Sequence, residues 1–218
     1  MDRCRAWDPA GLAHRADPDE YAHTSMHSST VQRLLHWVRH AGDRLAHGSM
    51  RKEALARLRM TSLPRSVLVV CHGNLCRSPY AAAVLRQRFE GLGLPITVAS
   101  AGYFNSKRSP PREALDAAAE RGIDLSAHRP QLVTRALLDA ADLVVVMDEG
   151  LSRAVQARRQ PTSPRALVLG DLDPQPIATR AIADPIGNPR PAFDHCYARI
   201  DRCIAMLVQT LASRSESS

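Results

Sequence analysis

Apolar and polar positions along this chain change period several times, and each change marks an element. From Arg65 onward, short apolar runs alternate with amphipathic stretches. Val67 to Val70, Ile96 to Ala99, Leu143 to Met147 and Ala166 to Leu169 are short, rich in β-branched residues and bounded by turn formers, as buried strands are. Helical spacing fills the intervals near 79–91, 111–121 and 149–159, and again at 192–213. In the last of these, Phe193, Cys196, Tyr197, Ile200, Cys203, Ile204, Leu207, Val208 and Leu211 fall on one helical face. Such alternation predicts an α/β fold, a doubly wound sheet of four parallel strands with helices on both faces. In that architecture a site forms at the carboxyl ends of the strands.

Before Arg65 the pattern differs. Residues 1–27 are polar and without period, and are expected to be disordered or loosely attached. Val31, Leu34, Leu35, Val38 and Leu45 recur at helical spacing behind Ser28, Ser29 and Thr30, which suit a cap. This predicts a helix over 28–46 ended by Gly48, then a second short helix over 51–59. The chain thus divides into a partly helical extension, 1–62, and an α/β domain, 63–218. Three readings of the extension stand side by side: a helix docked on the domain, a partner-binding arm, or a leader preceding a start at Met60.

The segment Cys71-His72-Gly73-Asn74-Leu75-Cys76-Arg77-Ser78 joins the first strand to the first helix of the domain. Backbone N–H groups and a helix dipole converge at such a junction and suit a tetrahedral anion. Cys71 supplies a soft nucleophile, and a helix N-terminus beside a guanidinium favours its thiolate. Arg77 offers a planar fork matched to two phosphate oxygens, and it can hold them as the transferring group flattens. Gly73 and Asn74 are the residue types that most readily adopt left-handed angles. Ser78 is placed to donate to the Cys71 sulfur, and Pro79 suits a first helical turn. No Gly-Lys-Ser/Thr follows, so a nucleotide-binding loop fits poorly.

Over about residues 65–213 the sequence resembles the low-molecular-weight protein-tyrosine phosphatases. Residues 70–79 match their Cys-x-Gly-Asn-apolar-Cys-Arg-Ser-Pro signature. Ser100-Ala101-Gly102, Gly122-Ile123-Asp124, His128-Arg129, Asp142 to Asp148, Asp184-Pro185 and Phe193 follow in the family's order. The resemblance implies a four-stranded flavodoxin-like sheet and a two-step, cofactor-free and metal-free hydrolysis of phosphotyrosine through a phosphocysteine. It makes Cys71 the nucleophile, Arg77 the phosphate clamp and Asp184 the general acid. His72, Gly73, Asn74, Leu75, Cys76 and Ser78 line the substrate, and Asn74, Ser78, Ser100 and His128 brace the loop. It further implies a reversible Cys71–Cys76 disulfide under peroxide. Asp173-Pro174 is a second Asp-Pro candidate for the acid, but it comes early, directly after the fourth strand. Many family members carry two aromatics after the Asp-Pro; this chain has Ile186 and Gly187, leaving Tyr103 and Phe104 as candidates for an aromatic wall. Residues 1–62 have no counterpart in the minimal family domain.

Composition narrows the rest. The net charge is +7 and the pI about 9.6, nearly all from arginine, since Lys52 and Lys107 are the only lysines. Aromatics make up 4% and do not cluster, so no nucleic-acid partner is expected. Five cysteines without an apolar leader argue for a reducing cytoplasm rather than a disulfide scaffold. No run reaches the roughly 18 apolar residues of a membrane span. His36 and His40 stand four apart but gain no third ligand, so no metal is expected. The expected partner is a phosphotyrosine protein, with a tyrosine kinase among the candidates. Three alternatives remain. A thioredoxin-linked arsenate reductase needs a redox cysteine pair, and residues 130–165 contain none. A phosphoarginine phosphatase tends to carry threonine where Leu75 stands. The last is a phosphoprotein-binding module without turnover.

Overall fold

The computed structural model describes residues 41–104, 108–160, 163 and 165–215. The segment 1–27, the first part of the helix expected from Ser28, the His36–His40 pair and Cys4 lie outside the described residues.

One parallel sheet contains β1 (Ser66–Cys71), β2 (Thr97–Gly102), β3 (Leu143–Val146) and β4 (Leu167–Val168), in the order β2-β1-β3-β4. This is the order the resemblance implies. β1 is central, with Val69 opposite Ser100 of β2 and Val145 of β3, and with Cys71 opposite Gly102. Val67 to Val70 are all buried, which explains why β1 reads as a continuous apolar run rather than an alternating one. The chain leaves β1 toward β2 on one side and later returns to β3 on the other. A crevice therefore opens at the carboxyl end of β1, where Cys71 stands.

Helices α1 (Ala41–Met60), α2 (Arg77–Gly91), α3 (Arg112–Ala119), α4 (Arg135–Ala140), α5 (Glu149–Gln156) and α6 (Arg190–Ser215) surround the sheet. The predicted stripe of α6 is buried along its whole length, Cys196 and Cys203 included. α2 packs on α6 through Tyr80 and Tyr197, whose rings stack 3.8 Å apart, and the Tyr80 hydroxyl donates to Asp201 at 2.8 Å. α4 escaped the sequence pattern because six residues give too little periodicity. Its Thr134 cap, which accepts from the Leu137 amide, is a purely local signal.

Two boundaries are corrected. α1 runs unbroken from Ala41 through Gly48 to Met60, so Gly48 does not end a helix and residues 51–59 form no separate one. A glycine costs a helix interior about 1 kcal/mol, and packing outweighs it. Ala54, Leu55 and Leu58 are buried against α6, and Arg214 donates to the Leu58 carbonyl. Leu45, assigned to the apolar stripe, is exposed. The fourth strand is only two residues long, because Leu169 to Leu172 turn into a 3-10 helix.

Beyond β4 two carboxylates are captured by arginines. Asp171 receives Arg180 through two bonds of 2.7 Å. Asp173, 1% exposed, receives Arg199 Nε at 3.1 Å and Arg202 through Nε and a terminal nitrogen at 3.1 and 3.0 Å. Removing one partner of such a buried cluster strands the others. Asp173→Ala is expected to lower the unfolding free energy by about 3–5 kcal/mol in urea titration; a loss below about 1 kcal/mol would show the cluster to be dispensable.

Candidate active site

The Cys71–Arg77 loop is held from outside, bond by bond. Tyr103 N donates to the Cys71 carbonyl at 2.9 Å and Phe104 N to that of His72 at 2.8 Å, so the chain leaving β2 fixes the start of the loop. Gly102 lies flush against it: a Cβ there would sit 2.8 Å from the Gly73 carbonyl carbon and 2.9 Å from Asn74 N. It is Asn74 that takes the left-handed conformation, with φ 54°. Fully buried, Asn74 donates through Nδ2 to Ser78 Oγ and Ser100 Oγ, both at 2.9 Å. Its Oδ1 accepts from Gln131 N at 3.0 Å, and its carbonyl accepts from His128 Nε2 at 2.8 Å. Burial holds the His128 imidazole below its ordinary range, which keeps it neutral with the proton on Nε2 for that bond.

These bonds decide what faces Cys71. Ser78 Oγ accepts from Asn74, so its single proton has two acceptors in reach, the Ala101 carbonyl at 3.4 Å and Cys71 Sγ at 3.0 Å, and a thiolate at the nearer position draws it. The Asn74 amide also reaches Sγ at 3.3 Å. Two donors therefore converge on the sulfur, an arrangement that suits a thiolate. Leu75 and Cys76 are buried in the core, and what they offer an anion is their backbone N–H. Burial pushes the Cys76 thiol well above its ordinary value, so it is no second nucleophile.

Arg77 is 3% exposed. One terminal nitrogen donates to the Ile182 carbonyl at 3.0 Å; the other meets the Asp184 carboxylate and His72 Nδ1, the latter at 3.2 Å. Because a guanidinium only donates, His72 Nδ1 accepts, which leaves the imidazole proton on Nε2, 4.0 Å from Asp148. Burial opposes the Arg77 charge, but Asp184 and the neighbouring groups outweigh it and keep the guanidinium charged. Arg77 Nε is buried without a partner among the described residues. An oxyanion in the loop would satisfy it.

The two Asp-Pro candidates are thereby separated. Asp184 lies against Arg77 and is about one-third exposed. Asp173 is sealed beneath α6 with both carboxylate oxygens engaged.

The family model for low molecular weight phosphotyrosine protein phosphatases matches residues 66–217. The chain belongs to this family. It is 36% identical over 138 residues to a probable low molecular weight protein-tyrosine-phosphatase, EpsP, of Ralstonia solanacearum, covering 63% of this chain and 90% of that one. The crystal structure of the tyrosine phosphatase amsI of Erwinia amylovora superposes with a TM-score of 0.61 at 28% identity, over 69% of this chain and 95% of that one. The YwlE arginine phosphatase of Geobacillus stearothermophilus gives 0.60 at 29% identity, over 71% and 97%. The chain is accordingly a phosphatase of the cysteine-dependent protein-tyrosine type.

Within that family frame, the rim of this site has its own composition. Ile186, directly after Asp184-Pro185, is exposed. Tyr103 and Phe104 meet edge to face at 5.3 Å, Phe104 stacks toward His72 at 6.0 Å, and the Arg158 guanidinium lies 4.1 Å over the Tyr103 ring. Sequence reasoning missed Gln131, Arg158 and the Ile182 carbonyl. Gln131 also donates to the Ser100 carbonyl at 2.7 Å, and its backbone continues alongside Gly102. No motif spacing marks it, and a main-chain carbonyl such as that of Ile182 has no residue signature at all.

The flush contact at Gly102 is testable. Gly102→Ala drives a methyl into loop backbone, so kcat/KM is expected to fall at least about 10²-fold with the circular dichroism spectrum unchanged. Wild-type kcat/KM in this variant would mean that the loop geometry is not set by β2.

Proposed function

We propose that Cys71, Arg77 and Asp184 carry phosphotyrosine hydrolysis in two steps. The Cys71 thiolate attacks phosphorus; an S–P bond forms, the P–O bond to tyrosine breaks, and protonated Asp184 gives its proton to the departing oxygen. Water then attacks the phosphocysteine, Asp184 accepts its proton, and the S–P bond breaks to return thiolate and phosphate. Arg77 Nε and the loop amides hold the equatorial oxygens through both steps. Ser78 and the Asn74 amide stabilise the departing sulfur in the second. Asn74, Ser100, His128 and Gln131 position the loop, while His72, Tyr103 and Phe104 flank the substrate ring.

The observation that carries this reading is the meeting of two donors at Cys71 Sγ with an Arg77–Asp184 pair at the mouth of the same loop. The pair also says what substrate must do. Asp184 holds Arg77; a phosphate dianion would take over the guanidinium and release the carboxyl toward the leaving oxygen.

The reading extends to partner and place. The partner is a phosphotyrosine protein, and the protein works in the cytoplasm. Among the described residues no helix is long and apolar enough to cross a membrane, and the four described cysteines are unbridged and buried. A phosphoarginine substrate is the second reading, favoured by the fold match to an arginine phosphatase. Against it, Leu75 is buried and carries no hydroxyl to offer a guanidino group. Arsenate reduction is disfavoured because Cys196 and Cys203 are sunk in the core of α6.

The test compares phosphotyrosine, phosphoserine and phosphoarginine peptides without metal. Phosphotyrosine is expected to be selected, and Cys71→Ser to abolish turnover while inorganic phosphate still binds. Asp184→Asn is expected to lower kcat about 10²–10⁴-fold on phosphotyrosine, with a smaller loss on nitrophenyl phosphate, whose leaving group needs no proton. Preference for phosphoarginine would replace the substrate; equal losses on both aryl esters would remove Asp184 from the acid role.

A further inference from the structure

The segment that carries Asp184 is gripped by a helix lying outside the stretch matched by the family model. Asp43 of α1 accepts from Thr179 Oγ1 and from Arg180 N, both at 3.0 Å and both on Oδ2. One turn later on the same helix, His47 Nε2 donates to the Asp173 carbonyl at 3.0 Å. α1 thus holds both ends of the segment 173–180, while its Ala54, Leu55 and Leu58 anchor it to α6.

Residues 179–182 leave little room for adjustment. Arg199 donates to the Thr179 and Ala181 carbonyls, both at 2.7 Å. The Arg180 carbonyl fills the space above Gly170, where a Cβ would come within 2.0 Å of its oxygen. Ile182 N donates to the Met147 carbonyl at 2.9 Å, and the Ile182 carbonyl receives Arg77. Two residues further on stands Asp184. A contact at Thr179 and Arg180 is therefore relayed, through three fixed residues, to the phosphate clamp and the acid.

We propose that Asp43 is a positioning residue for Asp184: the helix preceding the phosphatase domain sets the geometry of the acid loop. This rests on the assignment of Asp184 as general acid. Asp43 touches no substrate. It acts by fixing the backbone four residues upstream of the carboxyl, and proton transfer to the leaving oxygen tolerates little displacement.

The experiment uses the full chain with Asp43→Ala, Asp43→Asn and, as reference, Asp184→Asn, each on a phosphotyrosine peptide and on nitrophenyl phosphate. Asp43→Ala is expected to lower kcat on phosphotyrosine about fivefold to tenfold while leaving kcat on nitrophenyl phosphate within about twofold, with KM unchanged for both. Asp43→Asn keeps an acceptor oxygen at the same place and is expected to restore most of the loss. If Asp43→Ala does not fold, Thr179→Val removes the donor from the loop side and is expected to show the same split at smaller size. A merely structural role would lower both substrates alike or move only the melting temperature. Equal losses, or none, in the Asp43 variants beside a clear split in Asp184→Asn would overturn the positioning role alone. No split in Asp184→Asn would overturn the acid assignment beneath it.

Discussion

Everything at this site depends on one buried asparagine. An anion-binding loop must turn its amides inward, so its carbonyls and its strained turn have to be satisfied from behind. Asn74 does this in a left-handed conformation, with both side-chain ends and its carbonyl committed to Ser78, Ser100, Gln131 and His128. The strain of that conformation is of the order of 1–3 kcal/mol and persists only where the surroundings over-determine it. The same network sets the Ser78 hydroxyl 3.0 Å from the sulfur. Holding the loop open and preparing the nucleophile are therefore one arrangement.

A second network, of opposite character, surrounds the first. Behind the loop the bonds are short and mostly neutral; toward α6 and α1 they are ionic, with Asp171 and Asp173 held by Arg180, Arg199 and Arg202. The stretch between them reaches the catalytic cleft through the Ile182 carbonyl and Asp184, both on Arg77. Arginine suits this work because its five donors can bind several backbone and carboxylate oxygens at once. Arg77, Arg180, Arg199 and Arg202 thus act together as clamps on one loop.

The sheet and the loop were legible because they rest on local pattern. Val67 to Val70 form a short, β-branched apolar run bounded by turn residues, as a doubly covered strand does, and Cys71 to Pro79 hold loop chemistry in contiguous residues. Asp184 needed more than the dipeptide, which Asp173 shares: in the sequence only its later place after the fourth strand favours it, and the burial of Asp173 under Arg199 and Arg202 adds a physical reason that no sequence pattern carries. Gln131 and the Ile182 carbonyl act through position in space and carry no spacing to read. At Gly48 local propensity pointed the wrong way, since helix continuation there is decided by packing on α6, a contact distant in sequence.

The central claim is that phosphoryl transfer passes through the Cys71 sulfur. It is tested most directly by mixing the protein with phosphate-labelled substrate, quenching within the first turnover and locating the label. The account predicts a phosphorus–sulfur adduct on the peptide containing Cys71, formed and lost at rates compatible with turnover. Label on another side chain, or turnover with no covalent label at any time point, would contradict it.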